Sequence, residues 1–96
     1  MKLRWTKGRR GGTKGSWTWE HLMFWDLIDD ERDPAQYPEG VTLGWIRGER
    51  RKGAPTTYMA YRNDIRFDML IKTHSLEEAK AALVACVVAD ALEDME

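Results

Sequence analysis

A chain of 96 residues, 43% hydrophobic and 32% charged, holds one small folded domain and is too apolar for a disordered tail. One cysteine excludes an internal disulfide, no apolar run is long enough to span a bilayer, and the N-terminal MKLRWTKGRR lacks the apolar core of a signal peptide. The expected setting is the cytoplasm, and no membrane partner is expected; the net charge of −1 says little more, because the charge is laid out in blocks.

Residues 1–40 form a basic hairpin followed by an acidic segment. LRWT and SWTW read as two short strands joined by the glycine-rich KGRRGGTKG, and residues 1–19 carry six cations (Lys2, Arg4, Lys7, Arg9, Arg10, Lys14) and no acid. EHLMFWDLIDDERD either continues the second strand, since Trp17, Trp19, Met23, Trp25 and Leu27 share a parity, or forms a helix presenting Phe24, Trp25 and Ile28. The strand is preferred because WTW starts the alternation. Residues 20–40 hold seven acids against Arg32, and Asp33-Pro34 through Gly40 reads as a loop.

Residues 41–74 carry period-two patterning rich in β-branched and aromatic side chains, which predicts antiparallel strands. In VTLGWIRG, Val41, Leu43 and Trp45 alternate with Thr42, Gly44 and Ile46. In TTYMAYRN, Tyr58 and Ala60 alternate with Met59 and Tyr61. Ile65, Phe67, Met69 and Ile71 alternate through RFDMLIKT. GERRKGAP is expected as the loop of the first hairpin, closed by Pro55, and Asn63-Asp64 as the turn between the last two strands.

Residues 75–94 predict a helix. Ser75 followed by Glu78 has capping-box spacing, and Glu77 and Glu78 suit the positive end of the helix dipole. Leu76, Ala79, Leu83, Cys86 and Val87 fall on one face, and Val84, Val88, Ala91 and Leu92 widen it past half the circumference. So broad a stripe calls for cover from more than one side, which makes Val84, Val88 and Leu92 a candidate homodimer interface. The expected class is α+β: an antiparallel sheet of three to five strands packed on one long C-terminal helix.

Motifs for chemistry do not assemble. GRRGGTKGS misses the Walker A spacing, because the sixth and eighth positions from Gly8 are Thr13 and Gly15. His21 and His74 lack ligand spacing to a second His or Cys, the acidic run Asp29, Asp30, Glu31, Asp33 lacks the EF-hand order, and Cys86 sits in apolar ALVACVVA. No cofactor, no metal and no enzymatic activity are expected.

YMAYRNDIRFDMLIKTHSLEEAKAALVA, Tyr58 to Ala85, runs aromatic strand, turn, strand, Thr, and then a helix opening on Glu-Glu-Ala-Lys. Taken with GWIRGERRKG as a first strand and basic turn, residues 43–92 resemble the AP2-like, three-stranded arm-binding domain at the N-terminus of phage and transposon integrases. They are also similar to small uncharacterised phage and prophage proteins. The resemblance implies a sheet that enters the DNA major groove with the helix packed behind it. It implies Arg47, Arg50, Arg51, Lys52, Arg62 and Arg66 as DNA-facing cations, and Tyr58 or Tyr61 as apolar contacts.

Two binding functions follow. In the first, Arg47, Arg50, Arg51 and Lys52 on one loop join Arg9, Arg10 and Lys14 on another, beside exposed aromatics, to bind nucleic acid. In the alternative, a phage-encoded inhibitor of a host defence protein complex, anti-CRISPR-like, uses Trp25 with Asp26, Asp29, Asp30, Glu31 and Asp33 to mimic a phosphate backbone.

Overall fold

A computed structural model of the chain describes residues 1–8, 19–51, 53–63 and 69–94. Among them, five strands, β1 (Leu3–Gly8), β2 (Trp19–Asp29), β3 (Val41–Arg51), β4 (Thr57–Arg62) and β5 (Met69–Thr73), precede one helix, α1 (Leu76–Asp94). The strands pair antiparallel in chain order as a single meander. The helix lies across β3, β4 and β5. The α+β layering expected from the sequence is present, with the sheet at the upper end of the expected size.

Partners in an antiparallel register share a face, so the pairing sorts every strand residue to one side. One row runs Lys7, Trp25, Ile46, Ala60, Ile71; its neighbours are Trp5, Leu27, Gly44, Arg62 and Met23, Gly48, Tyr58, Thr73. This is the covered face. Leu27, Ile46 and Leu83 are its fully buried large side chains, and Ala60, Ala79 and Val87 complete the seam between sheet and helix. Each such aliphatic side chain contributes about 1.5–3 kcal/mol by leaving water. Two bulges feed the same side. Leu27 pairs with Gly44 but Ile28 with Thr42, which leaves Leu43 as an extra residue; Ala60 pairs with Ile71 but Tyr61 with Met69, which leaves Leu70. Both extra residues pack on the core, as an inserted residue that re-aims its side chain can.

Two glycines in β3 set how closely this face packs. A Cβ on Gly44 would stand 2.7 Å from a Leu83 methyl and 2.6 Å from the Tyr61 carbonyl oxygen, and one on Gly48 would stand 2.8 Å from the Trp25 ring. Glycine in mid-strand marks such close approach. The Trp25 ring extends the core beyond the helix and tilts against Tyr58 at 5.7 Å between centroids. Lys80 Nζ lies 5.5 Å from the centre of the Trp5 ring and tethers the helix to the β1 side of the sheet.

The structure resolves the choice over the acidic segment and corrects two sequence expectations. Trp19–Asp29 is strand, with Met23, Trp25 and Leu27 on the covered face and Phe24 and Ile28 opposite. Gly48–Arg51 is not loop: β3 continues through it, because Gly48 and Glu49 keep the alternation and pair with Tyr58 and Thr57, while Arg50 and Arg51 pair with His21 and Trp19. The described part of the last strand starts at Met69; Asp64, Ile65, Arg66 and Phe67 lie outside the described residues. The helix cap is rearranged. Glu78 N–H donates to Ser75 Oγ at 3.2 Å as expected, but the Glu78 carboxylate accepts from the Thr73 hydroxyl at 3.1 Å, and Thr73 Oγ1 accepts from Ser75 N–H at 3.2 Å. Thr73, two residues before Ser75, thus takes the reciprocal arm of the capping box.

Candidate functional site

Strand polarity decides where the basic segments attach. β1 ends at Gly8, β2 begins at Trp19, β3 ends at Arg51 and β4 begins at Thr57, so all four chain ends stand at one end of the sheet. Trp19 and Arg51 are register partners. The two segments richest in Arg and Lys are therefore anchored side by side. Arg9, Arg10, Lys14, Lys52 and Arg66 themselves lie outside the described residues. Arg50 is exposed at this end. Arg47 is half-buried four residues before the end of β3, ion-paired with Glu49 but out of line for a hydrogen bond. Arg62 is not part of this group. It stands on the covered face toward the opposite end, where its Nη1 reaches Cys86 Sγ at 3.6 Å and Asp90 Oδ2 at 3.2 Å. It borders a cleft of about 270 Å³ that Arg32, Val41, Leu43, Val87 and Asp90 also line.

The acidic segment occupies that opposite end and is largely spent on holding it together. Asp29 is only 4% exposed; its Oδ1 accepts from the backbone N–H groups of Lys2 at 3.2 Å and Glu31 at 3.0 Å. Arg4 Nε donates to both oxygens of Asp30, at 2.8 and 3.0 Å, while its Nη2 donates to the Glu39 carbonyl at 2.8 Å. Glu31 accepts from the Met1 ammonium at 2.9 Å, and that hydrogen bond, with the carboxylate charge behind it, raises the pKa of the amino group. Asp33 adopts a left-handed φ of 47° in the loop, and its carbonyl accepts from Gln36 and Tyr37 N–H. Trp25 is buried on the covered face, and Asp26 lies half-buried on the other. The residues expected to form one acidic strip are thus divided among core, ion pairs and turn.

The face away from the helix carries the aromatic side chains that the sequence places beside the basic loops without assigning them to a face. Across it runs the row Thr6, Asp26, Trp45, Tyr61, Met69, and beside it toward the basic end the row Gly8, Phe24, Arg47, Met59, Lys72. Trp45 and Tyr61 stack with centroids 5.5 Å apart and planes 18° from parallel. The Tyr61 hydroxyl lies 3.6 Å from Met59 Sδ, and Met69 is 50% exposed. Among the described residues no helix or second sheet packs on this side, although Met59 is buried and Phe24, Trp45 and Tyr61 are half-buried. Tyr61, of the two tyrosines that the integrase resemblance marks, faces here, whereas Tyr58 sits against Trp25 on the covered side. The available signal was parity: Trp45 and Tyr61 alternate with Ile46 and Ala60, which are fully buried.

On the helix, Val84 packs against the core, while Val88 and Leu92 are exposed. His74 Nδ1 donates to the Thr56 carbonyl at 3.0 Å. Among the described residues no group of three or more His, Cys, Asp or Glu side chains is placed to hold a metal ion, and no helix is long and apolar enough to cross a membrane. Comparison of the chain with family models, curated proteins and solved structures finds no match.

Proposed function

We propose that this protein is a non-enzymatic nucleic-acid-binding module that holds phosphates at the end of the sheet where the β1–β2 and β3–β4 hairpins turn. One observation carries this: Trp19 pairs with Arg51 and β1 runs toward that same end of the sheet, so the connections after β1 and after β3, which hold most of the cations of residues 9–14 and 47–52, both leave from one end. A chain of net charge −1 attracts a polyanion only where its cations are set apart from its acids, and the acidic β2–β3 connection is at the far end. The resemblance to integrase arm-binding domains points to the same ligand class. An inhibitor that mimics phosphate has less support, since Asp29 is buried and Asp30 and Glu31 are engaged by Arg4 and the N-terminus.

Fluorescence anisotropy with labelled oligonucleotides at several salt concentrations tests the proposal. About four to six phosphate contacts give a log–log salt slope of about −3 to −5. The double reversal Arg9→Glu/Arg50→Glu should weaken binding and flatten that slope by about 1–2. Absence of any salt-sensitive binding at micromolar protein would end the proposal.

A further inference from the structure

Resting on the nucleic-acid function above, we infer that the ligand is a single strand whose unpaired bases lie on the helix-free face against Trp45, Tyr61 and Phe24. A one-sided antiparallel sheet ordinarily turns polar residues to water. Here the outward positions of the middle strands include half-buried Phe24, Trp45 and Tyr61 and buried Met59 beside Asp26 and Arg47, with Ile28 and exposed Met69 at their flanks. None of these side chains belongs to the buried core cluster that joins sheet to helix.

Aromatic rings on an open sheet offer a π-face to any unpaired base, whereas a duplex keeps its base faces inside the stack. Width argues the same way. Five strands at about 4.8 Å spacing set the outer strands about 19 Å apart, wider than the major groove at about 12 Å, which has room for about three strands. Charge supplies the track for the backbone. The aromatic rows run directly into the basic end, and exposed Lys72 on β5 stands level with Arg47 on β3. Among the described residues the acids on this face are Asp26, toward β1, Glu49, which Arg47 engages, and at the far end Asp30, which Arg4 holds. The phosphates therefore follow the β4–β5 side to the basic end, and the bases turn inward over Tyr61 and Trp45.

Anisotropy titrations of a short labelled oligothymidylate, alone and annealed to its complement, test the inference with the full chain and the variants Tyr61→Leu, Tyr61→Phe and Trp45→Leu. Circular dichroism and thermal melting establish that each variant folds. The single strand should bind more tightly than the duplex. Tyr61→Leu should weaken single-strand binding about 5- to 100-fold, the span expected for one base–aromatic stack, while Tyr61→Phe stays within about twofold of the parent. If Trp45→Leu does not fold, the Tyr61 pair decides. Duplex bound as tightly as single strand, or Tyr61→Leu binding oligothymidylate like the parent, overturns the inference while leaving salt-dependent binding and the proposed function intact. Failure of the parent to bind either form removes both.

Discussion

The two faces of the sheet are built from the same strands, one residue out of step, and they solve different problems. The covered face is shaped for contact: small residues at Gly44, Gly48, Ala60 and Ala79 admit the large side chains Leu83, Trp25 and Ile46. The open face keeps large rings at Trp45, Tyr61 and Phe24 with no opposing layer among the described residues. A side chain on the first face is explained by folding alone. The aromatic side chains on the second are half-buried and stack on one another, and the proposed ligand would meet the part left open. The contrast teaches that the helix marks the stability face, and the proposal places the ligand on its reverse.

The sharpest break of this comparison lies at Gly44. Gly44→Val should cost about 3 kcal/mol or more, because its Cβ must displace the Tyr61 backbone as well as Leu83; chemical denaturation should show a collapsed midpoint or no folded baseline. Leu83→Ala opens a cavity at the centre of the same seam and should cost about 2–5 kcal/mol without abolishing the fold. At the acidic end, Asp29→Ala leaves the Lys2 and Glu31 N–H groups without their acceptor and should cost about 1–3 kcal/mol, with faster hydrogen exchange confined to those amides. On the open face, Tyr61→Leu should cost no more than about 1.5 kcal/mol, the value of the lost ring pair, and so separate binding from stability in one variant. The smallest effect belongs to the half-exposed Arg62–Asp90 pair: Asp90→Asn should change stability by less than about 1 kcal/mol and leave oligonucleotide affinity unaltered.

Local pattern carried much of the fold. Alternation in VTLGWIRG and TTYMAYRN marked β3 and β4, and the broad stripe from Leu76 marked α1, because these depend only on neighbours in sequence. Gly48–Arg51 was misread as loop because glycine and charge are turn signals, while the strand there is held by its pairing with β2 and β4. The candidate site was legible in part. Antiparallel connection alone brings the two basic segments to one end. What the carboxylates do was hidden, since Asp29 and Asp30 find their partners at Lys2 and Arg4 across the sheet rather than in their own loop. Which parity of β3 and β4 faces the helix was also hidden: Trp45 and Ile46 are equally apolar, and only Gly44 and Gly48 tip the balance by needing close neighbours.

The most direct test of the open face as the ligand surface is the set of tryptophan indole N–H resonances, followed by NMR as oligothymidylate is added. The Trp45 signal should move or broaden at the earliest additions, while those of Trp5 and Trp25, packed on the covered face, hold their positions. Shifts confined to Trp5, Trp25 and the amides of α1, with Trp45 unmoved, would place the ligand on the helix side and contradict the account.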